Sequence, residues 1–255
     1  MKLYKRILIG LIVPLIVVVL WVWATGTGKI PTSLLPTPEM VKDAWLDMTG
    51  SGQLQEDLWI SIQRVLKGYL LAAVLGITLG TVMGMFKTVR AMMEPFITTI
   101  RQIPMIAWFP LIILWCGIGE LSKVLIIVLA AFFPILVNTL NGIANTPEGY
   151  LEVSRLYKLS KLKTFVKLYF PHAIPDILVG LKLGLSVSWM AVVASELVAA
   201  TSGIGFRLND ARSMMRSDKV ILCMVVIGLI GILMDKVVTV LFGCLTPWQK
   251  AVHNK

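Results

Sequence analysis

Long uncharged apolar runs constrain this chain more than any other feature. A helix that crosses the hydrocarbon core of a membrane needs about 20 mostly apolar residues. The sequence contains six candidate runs, four of them without any charged side chain: 7–24, 68–86, 102–119, 124–143, 177–200 and 220–242. With 57% hydrophobic and 15% charged residues, the composition excludes an ordinary soluble domain. The sequence therefore predicts an all-α polytopic membrane protein with about six spans and a single membrane domain.

The first apolar run could be a signal peptide, because basic residues precede it. However, it ends in Trp21 and Trp23 and has no small-x-small cleavage site directly after it. We interpret it as a retained helix with its N-terminus inside. Six spans then place both termini on the cytoplasmic side.

Basic residues are distributed unevenly over the predicted loops. The net charge of +10 fits the excess of Lys and Arg in cytoplasmic loops, so no nucleic-acid partner is expected. Loop 144–176 is predicted to be cytoplasmic, since five basic residues fall within 155–167. Loop 25–61 is predicted to be external and acidic, with helical character at 39–46. Segment 207–219 carries four basic residues on the predicted outside and runs against the rule.

No catalytic or metal site stands out. Thr25–Ile30 weakly echoes a phosphate loop, but Trp23 replaces the first glycine and Ile30 replaces the magnesium-binding hydroxyl. His172 and His253 have no metal-ligand partner at helical spacing. We predict neither metal nor cofactor in this chain, and no enzymatic activity.

Charged residues within the predicted spans are functional candidates because burying them in lipid is costly. Lys182 and Glu196 are 14 residues apart and share a helix face, but they are about 21 Å apart along the axis and cannot pair with each other. Each could lie near a membrane edge, or the shared face could line a path. Gly76, Gly80 and Gly84 recur every four residues, which favours close helix packing over a hinge or pore lining.

Loop 144–176 carries a recognisable motif. It shows two apolar stripes at helical spacing, which predict two short amphipathic helices facing a partner or the lipid interface. The loop resembles the EAA loop of permease subunits in binding-protein-dependent ABC importers. That motif reads Glu-Ala-Ala, three residues, Gly, nine residues, Ile, one residue, Leu-Pro. Here Glu152-Val153-Ser154 opens it, Lys158 stands at the Gly position, Leu168 at the Ile position, and Phe170-Pro171 closes it.

Further stretches resemble the nitrate/sulfonate/taurine branch of these permeases: 35–38, 112–123, 131–138 and 194–210. The resemblance implies a multi-pass protein of the bacterial inner membrane and a type I importer fold. It also implies a second permease copy, an external solute-binding protein, and two ATPase subunits that bind ATP and Mg²⁺. The solute would be a small anion such as a sulfonate, taurine or nitrate.

The resemblance implies an ATPase-coupling role for the residues at the motif positions and beside them: Glu152, Ser154, Arg155, Lys158, Leu159 and Pro171. A glycine at position 158 would permit a left-handed turn. Either the turn differs here, or Lys158 accepts strain of about 1–2 kcal/mol because its ammonium contacts the ATPase.

Two further sites are predicted from the residues. A translocation path where two copies meet would use polar and aromatic groups within apolar helices: Gln102, Trp108, Trp115, Asn138, Ser186, Trp189 and Glu196. Docking of the binding protein would use the basic outer residues Arg207, Arg212 and Arg216, with the last two on one face of a short helix; a solvated helix is the alternative. A secondary transporter or channel without an ATPase, and a membrane-embedded enzyme, are the rival functions.

Overall fold

The computed structural model describes residues 3–245, and every regular element in that range is helical. The longest elements are α1 (Leu3–Gly26), α3 (Gln53–Met85), α6 (Glu120–Ala144), α9 (Phe170–Ala199) and α11 (Ser217–Leu245). Shorter ones connect them: α2 (Pro38–Gly50), α4 (Lys87–Arg101), α5 (Phe109–Cys116), α7 (Glu148–Leu156), α8 (Lys161–Thr164) and α10 (Ile204–Ser213). The all-α prediction is confirmed.

Four helices are long and apolar enough to cross a membrane: α3, α6, the continuous helix Lys161–Ala199 and Ser217–Gly243. A fifth span exists if α4 and the segment Met105–Cys116 count together, although their axes bend by 92°. Within α1, the apolar part that meets the same test of composition is shorter, Ile12–Gly26. Lys2 and Lys255, on which the predicted positions of the termini partly rest, lie outside the described residues.

The centre of the molecule is a three-helix layer of α3, α6 and α9. Glycines bring these helices into close contact: a Cβ on Gly80 would lie 2.7 Å from the carbonyl oxygen of Leu136, and one on Gly184 would lie 2.8 Å from the Ile135 side chain. Ile135 itself is fully buried between the helices. The predicted packing role of the glycine repeat is therefore confirmed.

Run 102–119 contains Pro104 and Pro110, which predict a broken helix, and the 3₁₀ turn Met105–Trp108 and α5 do leave the direction of α4 near Pro104. In the predicted external loop 25–61, the helical character at 39–46 is confirmed by α2. Two segments differ from their predicted form. Helix α3 already begins at Gln53, within that loop, because its polar first turns pack against α10. In loop 144–176 the second predicted helix is the start of the helix that continues, through a π-helical turn at Phe165–Tyr169, into α9.

Candidate functional site

A groove of about 420 Å³ lies between the bend after α4, helix α6 and helix α9. It brings together two residues of the predicted path, Trp108 and Asn138. Asn138 Nδ2 donates a hydrogen bond of 2.8 Å to the Pro134 carbonyl, which fixes the amide. Gln102 is exposed beside the groove but does not line it, and Trp115 is 69% exposed on α5 and lies outside it.

A second groove, of about 510 Å³, lies on the other side of α9, against α11. It contains Ser186 and Trp189, both predicted for the path. Trp189 is only 5% exposed, and its indole N–H donates to the Ile227 carbonyl at 3.0 Å. At the same groove Lys182 Nζ lies 3.1 Å from Asp235 Oδ1. Trp189 therefore anchors α11 to α9, and Lys182 is neutralised within the subunit.

Glu196 corrects the path prediction. Its side chain is fully buried and accepts hydrogen bonds from the Ser61 hydroxyl at 2.8 Å, Arg64 Nη1 at 2.7 Å and the Gly205 N–H at 2.9 Å. A carboxylate buried in lipid needs such partners, and it finds them on α3 and α10. In this structure Glu196 therefore holds helices together and does not line a water-filled path.

Arg64 joins this cluster to α6. Its guanidinium binds Glu120 with a two-pronged contact, 2.8 Å from Nε and 2.5 Å from Nη2, and also reaches the Ser202 carbonyl at 2.7 Å. Nearby Asp57 accepts from the Gly203 N–H at 2.9 Å. Gly203 has φ +107°, and a Cβ there would lie 2.3 Å from Glu196 Oε1, so the chain needs glycine at this point.

This cluster is not among the sites predicted from the sequence. Asp57, Ser61 and Arg64 stand at i, i+4 and i+7 of α3, which places all three on one helix face. That spacing is a signal in the sequence. The predicted external loop over 25–61 hides it, because the loop separates residues 57 and 61 from Arg64.

Three of the four basic residues in segment 207–219 are paired with carboxylates. Arg207 binds Asp57 at 2.8 Å, Arg216 binds Asp218 at 2.7 Å, and Lys219 binds Asp47 at 2.7 Å. The hydrogen bond from Lys219 lowers the pKa of the Asp47 carboxyl, and the bond to Asp218 raises the pKa of Arg216. These three positive charges are therefore neutralised by ion pairs within the chain.

The predicted shared helix face of Arg212 and Arg216 is wrong. Helix α10 ends at Ser213, and Met215 adopts φ +55°. The Arg216 N–H then bonds the Ala211 carbonyl at 2.9 Å, and the Met215 N–H bonds the Arg212 carbonyl at 3.1 Å, which is a Schellman ending. The chain turns between the two arginines. Arg212 is exposed and forms no ion pair with any described carboxylate.

Helix α7 ends in the same way. Lys158 adopts φ +49°, the Leu159 N–H bonds the Ser154 carbonyl at 3.0 Å, and the Lys158 N–H bonds the Arg155 carbonyl at 3.0 Å. Lys158 thus takes the left-handed turn that a glycine would favour, and accepts its strain. Of the two alternatives drawn from the sequence, a different turn is excluded.

Within the coupling segment, Glu152, Arg155 and Lys158 are exposed, Leu159 is half-buried and Ser154 is buried. Ser154 Oγ donates to the Leu151 carbonyl at 2.7 Å. Pro171 follows the π-helical turn Phe165–Tyr169 within the continuous helix, and it has no N–H to donate to the preceding turn. Glu152 is the fifth residue of α7 and not its head, so the favourable helix-dipole position belongs to Glu148.

No cluster of three or more His, Cys, Asp or Glu side chains that could hold a metal ion occurs in the described part of the chain.

Comparison with known proteins assigns the chain to a class. Residues 72–250 match the family described as "Binding-protein-dependent transport system inner membrane component". The chain belongs to this family of ABC importer permeases, and within it to the sulfonate/taurine/nitrate branch.

Three relatives show the branch. The putative aliphatic sulfonates transport permease protein SsuC of Bacillus subtilis is 34% identical, over 96% of this chain and 89% of its own length. The taurine transport system permease protein TauC of Escherichia coli is 34% identical, over 91% and 86%. The nitrate import permease protein NrtB of Synechocystis is 32% identical, over 92% and 88%.

Solved structures show the same fold. A chain of an amino acid ABC transporter with histidines aligns with a TM-score of 0.65 at 14% identity, covering 77% of this chain and 96% of that one. The MetNI methionine ABC transporter aligns with a TM-score of 0.54 at 18% identity, covering 71% of this chain and 93% of that one. The family match and the relatives identify the chain as a multi-pass membrane subunit that works with ATPase and binding-protein components, as a transport component rather than a catalyst. This removes the two rival functions drawn from the sequence.

Proposed function

We propose that this permease subunit carries a small solute with an oxyanion group, such as an alkanesulfonate, taurine or nitrate, inward across the bacterial inner membrane. The printed functions of the relatives, which name sulfonates, taurine and nitrate, support this solute class. An external binding protein delivers the solute, and two partner ATPase subunits supply the energy by binding ATP and Mg²⁺. Two copies of the permease form the path between them and alternate between inward-open and outward-open states.

The exposed surface of α7 and of its C-terminal turn is the observation that carries the coupling part of this proposal. Leu156 is 80% exposed and Tyr157 is 77% exposed, although both are large and apolar or aromatic. The side chain of Tyr150 on the same helix is 55% exposed. A short helix that presents such groups beside basic residues suits docking into a groove of a partner protein. We assign this surface to the ATPase and place it, with both chain termini, on the cytoplasmic side.

At the opposite end, we assign binding-protein docking to the exposed surface around Arg212. Arg207 and Arg216 contribute less than the sequence implied, because both already pair with aspartates. A single exposed guanidinium near an acidic partner affects the association rate more than the affinity.

The coupling assignment is tested by Glu152→Lys, which reverses an exposed charge in the middle of α7. We expect loss of solute uptake and of binding-protein-stimulated ATP hydrolysis, because the reversed charge opposes docking, while membrane insertion stays normal. Uptake and ATPase rate are measured in proteoliposomes that contain the assembled transporter.

The matched control is Glu56→Lys, the same reversal at an exposed carboxylate in the first turn of α3, at the other end of the bundle. It should insert and transport as the wild type does. Wild-type uptake by Glu152→Lys would show that α7 is not the coupling helix.

A further inference from the structure

The groove between α4, α6 and α9 is lined by residues near the middle of two long helices, α6 and α9. Phe133, which lines it, is next to the middle of the 25-residue helix α6, and Leu183 is next to the middle of the 30-residue helix α9. The bend at which α4 gives way to the 3₁₀ turn forms the third wall. The groove is therefore placed where a solute crossing the bilayer has lost its bulk water.

Arg101, the last residue of α4, lines this groove and is exposed in the subunit. It forms no ion pair with a carboxylate among the described residues. The other basic residue at comparable depth, Lys182, is neutralised by Asp235 at 3.1 Å on the far side of α9. An unpaired positive charge inside a membrane is costly, so it needs a water-filled cavity or a partner of opposite charge.

The remaining polar groups of the groove favour an anion. No acidic residue lines it. The indole N–H of Trp108 finds no acceptor among the described residues, and Asn138 presents an amide that is already fixed in place by Pro134. The rest of the wall is apolar, which strengthens the attraction between a guanidinium and an oxyanion by excluding water.

We propose that Arg101 binds the anionic group of the solute during its passage through this groove. The planar guanidinium donates two parallel N–H bonds to the oxygen atoms of a sulfonate, nitrate or similar oxyanion, and Trp108 and Asn138 flank that group. The inference rests on the proposed function, because it requires an anionic solute. It adds a residue that selects for that charge within the membrane subunit, after the binding protein has released the solute.

The test uses the complete transporter, with its ATPase and binding protein, in proteoliposomes. Uptake is measured separately for three radiolabelled solutes: an alkanesulfonate, taurine and nitrate. Arg101→Gln should lower uptake about tenfold or more, because a charge-assisted bidentate contact is lost. Binding-protein-stimulated ATP hydrolysis should remain, since α7 is unchanged. Arg101→Lys keeps the positive charge but loses the two-pronged guanidinium, so its uptake should lie between that of the wild type and that of Arg101→Gln. Arg90→Gln, which removes a surface charge from the same helix, is the matched control and should transport normally.

A chemical rescue separates charge from folding. Arg101→Cys is made in a background that lacks Cys116, Cys223 and Cys244, and is modified after assembly. A thiol reagent that attaches an aminoethyl group restores a positive charge and should restore uptake, whereas a methyl reagent should not. If Arg101→Gln does not assemble, this comparison decides.

Equal uptake after the two reagents, or wild-type uptake by an assembled Arg101→Gln transporter, would overturn the proposal for Arg101 alone. If the wild-type transporter accumulates none of the three anions, the proposed solute class is wrong, and this site is wrong with it. The wild-type uptake measurement therefore tests the solute class, and the Arg101 variants test the role of Arg101.

Discussion

At the scale of single residues, the Arg64 guanidinium pairs with two carboxylates, Glu196 in the interior and Glu120 at the surface. Arg64 is 2% exposed and forms ion pairs with both Glu120 and Glu196. Ser61 and the Gly205 N–H complete the shell around Glu196. A buried ionic cluster of this kind is stable because every charge has a partner and hydrogen bonds fill the remaining positions.

Arg64→Met should therefore be severely destabilising. It removes the cation but leaves Glu196 buried, and breaking a buried pair in this way costs about 3–5 kcal/mol. Thermal unfolding of the detergent-solubilised subunit, followed by tryptophan fluorescence, measures the loss. The control is Arg90→Met, because the Arg90–Glu94 pair is exposed and screened by solvent, so its loss should change the melting temperature little. Equal melting temperatures for the two variants would contradict a structural role for Arg64.

The sequence indicated that Glu196 is unusual but could not identify its partner. A carboxylate within an apolar run is a reliable sign of a buried interaction. Its partner Arg64, however, lies 132 residues away, and only the packing of α3 against α9 brings them together. The same limit applied to Lys182, whose partner Asp235 is on α11. The hydropathy of a sequence indicates that a charged residue lies within an apolar helix, but it does not indicate which other helix packs against that residue.

At the scale of helices, the glycine positions of α3 were predictable because their role is local to one face. Gly68, Gly76, Gly80 and Gly84 all face α6, where an added Cβ would collide with Ile127, Ile135, Leu136 or Ile143. The bend after α4 was only half predictable. Pro104 and Pro110 marked a break, but a continuous apolar run does not tell whether the axis continues straight or turns by 92°.

Gly80→Ala should weaken the packing of α3 on α6. The added methyl group would lie 2.7 Å from the Leu136 carbonyl oxygen, which belongs to a helix backbone and cannot rotate away. Overpacking of this kind costs about 1–3 kcal/mol, which exceeds the gain of about 1 kcal/mol from replacing a helical glycine.

The control is Gly228→Ala on α11, where nothing lies within 4 Å of the added atom. That variant should melt at the wild-type temperature or slightly above it, in the same fluorescence assay. A Gly80→Ala subunit that is as stable as Gly228→Ala would show that α3 can move away from α6 without loss.

At the scale of the whole molecule, the two ends of the bundle differ in how their basic residues are paired. Arg207, Arg216 and Lys219 are held by aspartates from α3, α11 and α2. Neutralised bases contribute little net charge to the end of the bundle that contains α10. By contrast, the segment 155–167 at the other end carries five basic residues, and none of them forms an ion pair with a described carboxylate. Among the described residues, segment 155–167 therefore has five basic residues without a carboxylate partner, whereas segment 207–219 has one, Arg212.

The two left-handed turns provide a matched pair of sites to test this orientation. Lys158 and Met215 are both exposed, each is the left-handed residue of a Schellman ending, and α9 is the one long helix between them. Its 30 residues span about 45 Å, enough to place the two turns on opposite sides of a bilayer.

We expect Lys158→Cys to react with a membrane-impermeant maleimide only from the cytoplasmic side, in inverted vesicles. Met215→Cys should react only from the outside, in intact cells. Both variants are made without the native cysteines, and each is labelled again after the membrane is opened with detergent, where both must react. Labelling of both sites from the same side would mean that α9 does not cross the membrane, and the assignment of α7 to the ATPase and of Arg212 to the binding protein would fail together.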